Sequence, residues 1–329
     1  MTSKKTASFL LLLLFQILQS QHTDIINSNR PGESMSAYAV GNKVIQLESG
    51  LNYISENHKL LNYAAKGIGF DLNIRYGILT EELELITNVN YQNDTFTDSY
   101  FENSVIQTNR SSIKNLGFGA KYLIYDPYKN YKEKINIYSW KANYKFKWRQ
   151  LIPAVSLFAG ASLNFSSNNF ISDAEKESAV SPKAMIITQN VFSSGYVFVT
   201  NIFFDKITND HKNFGYVMTL TRAFNEKWSG FIENKAIKGN FYSDGILTAG
   251  AAYLITKDLQ VDASISKNFK STPDFLYGGI GISWRSDLKY KEVRLGKSGG
   301  GKKSKKSKDS KEEKSRKRVD DPVLDKSKK

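Results

Sequence analysis

From about residue 43 to residue 285, apolar and polar residues alternate one for one through segment after segment of the chain. Ile68, Phe70, Leu72, Ile74 and Tyr76 are interleaved with Gly69, Asp71, Asn73, Arg75 and Gly77. Leu83, Leu85, Thr87, Val89 and Tyr91 stand in the same way against Glu82, Glu84, Asn88 and Asn90. The pattern returns at Leu116, Phe118, Ala120, Tyr122 and Ile124, at Phe214, Tyr216, Met218 and Leu220, and at Leu276, Ile280, Ile282 and Trp284. Successive side chains of a strand point to opposite faces, so each segment presents one apolar face and one polar or small face. Twelve strands are predicted, at about 43–54, 67–78, 82–92, 114–125, 150–165, 182–191, 196–205, 213–223, 228–237, 244–255, 259–268 and 274–285. In water the apolar faces must pack on a second sheet; in lipid they can meet hydrocarbon directly.

The spacing between segments separates these two cases. Short gaps at 79–81, 192–195, 224–227 and 256–258 alternate with longer polar gaps at 55–66, 93–113, 166–181, 206–212 and 239–243. An antiparallel meander with that rhythm has its short turns on one rim and its long loops on the other, as membrane barrels do. A β-sandwich would mix connection lengths and cross between sheets. The expected fold is therefore all-β, a transmembrane antiparallel meander β-barrel of twelve strands over residues 43–285. One connection breaks the rhythm. Residues 126–149 stand where a short turn is due, and there Tyr138, Trp140, Tyr144, Phe146 and Trp148 alternate with Lys141, Lys145, Lys147 and Arg149. They read as an amphipathic stretch at the periplasmic membrane surface, rings at headgroup level and cations on lipid phosphates. The alternative is an extra hairpin, which would make fourteen strands.

The two ends differ from the body. Lys4 and Lys5 precede the apolar run Phe9–Phe15, and Ser20 precedes Gln21, so residues 1–20 read as an export signal. That run falls well short of the ~20 residues needed to span a bilayer as a helix. Residues 21–42 then form a periplasmic leader. Residues 286–329 carry 17 Lys and Arg against 8 Asp and Glu, so much of the formal charge of +14 sits in a Lys/Ser-rich tail with little to bury. Such a tail is expected to be disordered and to meet an anionic periplasmic surface. Export removes nucleic acid from the candidate partners. The chain has no cysteine, which excludes disulfides, thiolate metal sites and lipid anchoring through a cysteine. The reading is an exported, monomeric barrel of a Gram-negative outer membrane, with lipid around it and a small-molecule solute of unknown identity.

No catalytic constellation is present: no phosphate-binding Gly-rich loop, no His-Glu-x-x-His and no Gly-x-Ser-x-Gly. His22, His58 and His211 are far apart and fall before the barrel or in predicted outer loops. Glu82 and Glu84 resemble a glycosidase pair, but two residues apart on one strand face they line a wet wall. No catalytic residue, metal ligand or cofactor is nominated. The polar face of the strands is more informative. A Lys or Arg near the midplane of the lipid face would cost about 2–4 kcal/mol, which fixes the polar face as the inward one. It would line the lumen with Glu48, Asp71, Glu82, Glu84, Glu233 and Asp262 and with Arg75, Lys121, Lys235 and Arg285. Acids exceed bases there by six to four, so Arg30 of the leader is expected to fold into the lumen as a plug and to pair with Glu48, Glu82 or Asp262.

Several short motifs in order resemble the putative meta-pathway phenol-degradation family. They are Asn27-Ser28-Asn29-Arg30-Pro31-Gly32-Glu33-Ser34, the first-strand Val44-Ile45-Gln46-Leu47-Glu48-Ser49-Gly50, then Ile74-Arg75-Tyr76-Gly77-Ile78-Leu79-Thr80 with Glu82-Leu83-Glu84-Leu85, and Leu259-Gln260-Val261-Asp262. The resemblance covers roughly residues 27–285; Asn27 replaces the usual threonine, and the basic tail lies outside the pattern. It implies an outer-membrane channel or transporter-like barrel that passively conducts small molecules, hydrophobic or aromatic compounds among them. The competing readings are a non-conducting structural or surface-interaction barrel and a secreted soluble β-protein.

Overall fold

The computed structural model describes residues 26–101, 104–129, 138–139, 147–163, 180–193, 195–208, 212–240 and 242–286. Twelve strands dominate them: β1 Ile45–His58, β2 Tyr63–Gly77, β3 Leu83–Phe101, β4 Ser104–Tyr125, β5 Ala154–Leu163, β6 Val180–Val191, β7 Tyr196–Asp205, β8 Asn213–Ala223, β9 Trp228–Gly239, β10 Ser243–Thr256, β11 Leu259–Asn268 and β12 Asp274–Ser286. Each pairs with its sequence neighbours, and β1 pairs antiparallel with β12, so the sheet closes on itself with no free lateral edge strand in the ring. Closure satisfies the backbone of both terminal strands, which is what lets a sheet sit in hydrocarbon.

The alternation sets the polarity of the wall. On β1, Gln46 and Glu48 are buried while Ile45, Leu51 and Tyr53 are exposed. The exposed class over the barrel is rich in large apolar side chains, such as Ile68, Ile232 and Ile280, while Arg75, Lys121, Glu84 and Glu233 are fully buried. That is the inverse of a protein folded against water, where buried charge is rare. An outer face of this kind belongs in a lipid layer, and the closed antiparallel meander places the chain among outer-membrane barrels. The soluble alternative is discarded on this polarity.

The polar gaps depart from expectation. Residues 55–66 and 93–113 are not outer loops: β1 runs on to His58 and β2 starts at Tyr63, while β3 and β4 continue as a ribbon to Phe101 and from Ser104. Above the hydrocarbon a strand no longer needs an apolar face, so Thr- and aromatic-rich polar sequence stays paired; Thr95 faces Asn109 and Asp94 faces Arg110 across the ribbon. His58 is therefore the last residue of a strand, and its Nδ1 accepts the Leu61 N–H at 3.0 Å. On the other rim, β4 pairs directly with β5 from Leu116↔Leu163 to Tyr125↔Val155, so no extra hairpin enters the sheet between them and the fourteen-strand alternative is set aside. β5 begins at Ala154 rather than 150 because Trp148–Leu151 form a 3-10 turn. Of the aromatic and cationic stretch, Tyr138 and Trp148 are strongly exposed. Residues 130–137 and 140–146 lie outside the described residues, as do the expected signal, the basic tail, His22 and His211.

Candidate functional site

The leader lies inside the barrel. It enters at the short-turn rim, where Ile26 N–H donates to the Lys257 carbonyl at 2.8 Å, and it leaves there, where Lys43 N–H donates to the Gly77 carbonyl at 2.9 Å. Between these points it forms neither helix nor strand. A buried irregular segment must find partners for its N–H and C=O groups elsewhere, and here the inward side chains of the wall supply them. Asn29 N–H donates to Glu48 Oε1 at 3.1 Å, Ala37 N–H to Gln189 Oε1 at 2.9 Å and Val40 N–H to Glu84 Oε2 at 2.9 Å. In the other sense, Arg75 Nη1 donates to the Asn27 carbonyl at 2.8 Å, Lys121 Nζ to the Ser36 carbonyl at 2.7 Å and Ser156 Oγ to the Ala37 carbonyl at 2.6 Å. Ala37 joins an apolar cluster with Ile86, Leu123, Phe158, Met185 and Ile187, and Met35 and Tyr38 pack against it.

Four of the sequence-predicted residues form one buried network beneath the leader. Arg75 Nη1 lies 3.3 Å from Glu48 Oε1, Arg75 Nη2 lies 3.0 Å from Glu84 Oε2, and Lys121 Nζ lies 2.7 Å from Glu84 Oε1. All four side chains are shut off from solvent. Two acids and two bases balance, and the alternation of β1, β2, β3 and β4 brings them together from four adjacent strands. The remaining residues fall elsewhere on the inner face. Glu82 sits at the rim, 2.9 Å from Lys129 Nζ. Glu233 accepts the backbone N–H groups of Glu33 and Ser34 and the Thr219 hydroxyl, the last at 2.7 Å. Lys235 pairs with Glu33. Arg285 Nη2 lies 3.8 Å from Asp258 at the rim. Asp71 is held by the side-chain amides of Asn52 and Asn90.

Arg30 reaches one of its three expected partners: its Nη2 lies 3.4 Å from Asp262 Oδ1, in a single contact longer than those of Arg75. Glu48 is taken by Arg75 and the Asn29 N–H, and Glu82 by Lys129. Room for the guanidinium comes from Gly50 and Gly281, which pair across β1 and β12; a Cβ on either would collide with it. Desolvation by the surrounding barrel would raise the Glu33 carboxyl, whose side chain is itself exposed to the cavity, but Lys235 and then Lys183 act against it and hold it below the ordinary carboxylate range. Burial pushes the Tyr38 phenol up, with Asp126 and Tyr128 adding to the effect.

Beyond the leader, away from the short-turn rim, the lumen opens into a cavity of about 530 Å³. Its floor is the Arg30–Glu33 stretch and its wall includes Asn52, Asp71, Asn73, Asn88, Asn90 and Asn115. Sequence reasoning that followed charge missed these amides, and it missed Gln189 and Ser156, which grip the leader, and Thr219, which donates to Glu233. Their signal was present all the same: each occupies an inward position of its strand's alternation.

The barrel is similar to an outer-membrane channel from Pseudomonas putida F1, at 8% identity over 79% of this chain and 100% of that one, with a TM-score of 0.48. It is similar also to the KdgM porin in complex with disordered oligogalacturonate, at 13% identity over 71% and 98% of the two chains and a TM-score of 0.40, and to the CymD monoaromatic hydrocarbon channel, at 10% identity, 74% and 88% coverage and a TM-score of 0.35. No curated protein sequence matches the chain. The family model described as "Putative MetA-pathway of phenol degradation" matches residues 28–286, from the leader through the last strand, and the chain belongs to that family.

Proposed function

We propose that the protein is a passive outer-membrane conduit for small molecules, with its leader as a resident plug. The observation that carries this reading is the mode of attachment. The leader is an irregular chain held in the lumen by side-chain hydrogen bonds, by ion pairs at Arg30 and Glu33 and by a small apolar cluster at Ala37, under a polar cavity. Apart from the contacts of Met35, Ala37 and Tyr38, the leader is clasped by polar groups that water can replace if it moves. The wall residues Glu48, Arg75, Glu84, Lys121, Glu233, Lys235 and Asp262 hold the plug, and Asp71 lines the open half. Aromatic compounds, to which the family description points, are the first solutes to offer. We read the barrel as non-enzymatic and monomeric, exported by residues 1–20, with the basic tail of residues 286–329 on an anionic periplasmic surface.

The test is conductance in planar bilayers before and after deletion of residues 21–38. Conductance rises severalfold in the deletion if the leader is a plug. Unchanged conductance removes the plug. A barrel that passes no solute in liposome swelling with or without its leader favours the second reading, a non-conducting surface-interaction protein. The β3–β4 ribbon, which among the described residues continues past the β4–β5 pair Leu116↔Leu163, would then carry the contacts.

A further inference from the structure

We propose that the cavity above the leader is a binding site for uncharged solutes rich in hydroxyl groups, of mono- to disaccharide size; the proposal rests on the conduit reading and names the solute class that would pause there. The cavity, about 530 Å³, falls within the ~300–1,000 Å³ of sites that hold small ligands. Its β1–β4 wall is a ladder of carboxamides. Asn90 Nδ2 donates to Asp71 Oδ1 at 2.6 Å, and Asn52 Nδ2 donates to the other oxygen, Asp71 Oδ2. One rung along, Asn88 Nδ2 donates to Asn73 Oδ1, and Asn115 faces Asn90 across β3 and β4.

These bonds orient the amides. With their NH₂ groups turned to Asp71, Asn52 and Asn90 each keep a carbonyl oxygen and one further N–H for a guest; Asn88 keeps its oxygen and Asn73 its NH₂. Donors and acceptors therefore lie side by side along the wall. A hydroxyl is both donor and acceptor, so a molecule with several of them can satisfy neighbouring rungs together. An apolar aromatic would strip water from the same amides and leave them unpaired, which is the costly outcome.

The charges in the cavity are already engaged. Lys235 pairs with Glu33 and Arg30 with Asp262. Lys114 Nζ donates to Gln92 Oε1 at 3.0 Å, and Lys183 lies over the Phe203 ring, within electrostatic reach of Glu33. A charged solute would have to compete with these contacts, and with the two amides that already occupy Asp71, to gain a counter-ion. The rest of the lining supplies a small apolar surface from Ile54, Phe158, Met185 and Tyr277. A hydroxyl-rich ring has such a counterpart, a C–H face beside its hydroxyl edge.

Equilibrium dialysis of the purified wild-type barrel in detergent micelles against radiolabelled glucose and sucrose tests this. The comparison is with the N73L/N88L double variant and, should that fail to show heat-modifiable migration, with Asn115→Leu. Saturable binding of one or both sugars is expected, weakened at least tenfold in the variant and not displaced by phenol or benzoate. Absence of saturable sugar binding, equal binding in a folded variant, or displacement by phenol or benzoate at equal concentration would overturn the proposal. Dialysis needs no transport, so failure of this site and failure of the conduit are separate results.

Discussion

Replacing Glu84 by glutamine asks whether the leader and the wall are one electrostatic unit. Glu84 takes the Arg75 guanidinium at 3.0 Å, the Lys121 ammonium at 2.7 Å and the Val40 N–H at 2.9 Å, all away from solvent. The amide retains the shape and one acceptor oxygen but removes one of two negative charges, leaving Arg75 and Lys121 to share Glu48. Removing one partner of a buried pair costs about 3–5 kcal/mol, because the other charge is stranded, and the retained acceptor argues for the lower end. At roughly 2–4 °C per kcal/mol for sizeable domains, about 3 kcal/mol lowers the apparent unfolding midpoint by ~6–12 °C at a fixed scan rate. The assay is loss of heat-modifiable migration on a detergent gel as temperature rises. In the E84Q/K121Q double variant the stranded ammonium is gone, Arg75 still has Glu48, and most of the lost midpoint should return. A shift of E84Q below ~2 °C, or a double variant as damaged as the sum of the singles, would refute the view that these charges are coupled and dry.

Ile280 lies 63% exposed on the outer face of β12, and Ile280→Lys is expected to cost ~2–4 kcal/mol in urea titrations of folding into vesicles. Ile106→Lys, at a position 54% exposed on the ribbon beyond the β5 pairing, should fall within ~0–1 kcal/mol; equal costs would contradict the placement of the lipid layer. The Glu33 carboxyl is held below its ordinary range, so its contribution to docking of the leader is present above the pKa of a free leader and disappears as pH falls through the depressed value. The excess conductance of Glu33→Gln over the wild type should therefore be the same at neutral and mildly acidic pH and shrink only on strong acidification.

How far the barrel could be read in advance depended on what each residue is asked to do. Where a strand crosses hydrocarbon, an apolar outer face is compulsory, and the alternation at Ile68–Tyr76 or Leu276–Trp284 marks both the element and its orientation. Outside that layer the demand lapses. The ribbon from Asn93 to Ile113 mixes polar residues with exposed Val105 and Ile106 and keeps no regular alternation, so it was readable only as a loop, although its Thr, Tyr, Phe and Ile residues suit a strand. The inner charges were legible for the same reason as the strands, since no other face would tolerate them. Their grouping was not: Glu48, Arg75, Glu84 and Lys121 meet because of pairing registers such as Gln46↔Arg75 and Glu84↔Lys121. A one-residue slip in any of these would turn the side chains outward, and the alternation does not number the rungs. Arg30 illustrates the limit. Charge balance named three acids for it, and the choice of Asp262 follows from the gap left by Gly50 and Gly281, which is a matter of register and side-chain volume.

The two halves of the lumen follow different rules, and that difference locates any discrimination among solutes. Toward the short-turn rim, charge is dense and ion-paired, and carbonyl and N–H groups of the leader bond to Glu48, Arg75, Glu84 and Lys121, although Glu48 Oε2 and Asp262 Oδ2 stay buried without a hydrogen-bond partner among the described residues. Toward the ribbon, the inward positions pass from Glu and Arg to Asn, and hydrogen-bonding capacity outruns the partners the protein provides. A solute entering from that side meets unspent capacity first and the closed network second. On the proposed conduit reading, selection by hydrogen bonding acts in the amide-lined half, while passage depends on the leader. Substitutions on the Asn73–Asn88 rung should change which molecules bind without altering ion conductance. Loss of the Arg30–Asp262 contact should alter conductance without changing preference among solutes. The two classes of variant separate recognition from gating within one barrel.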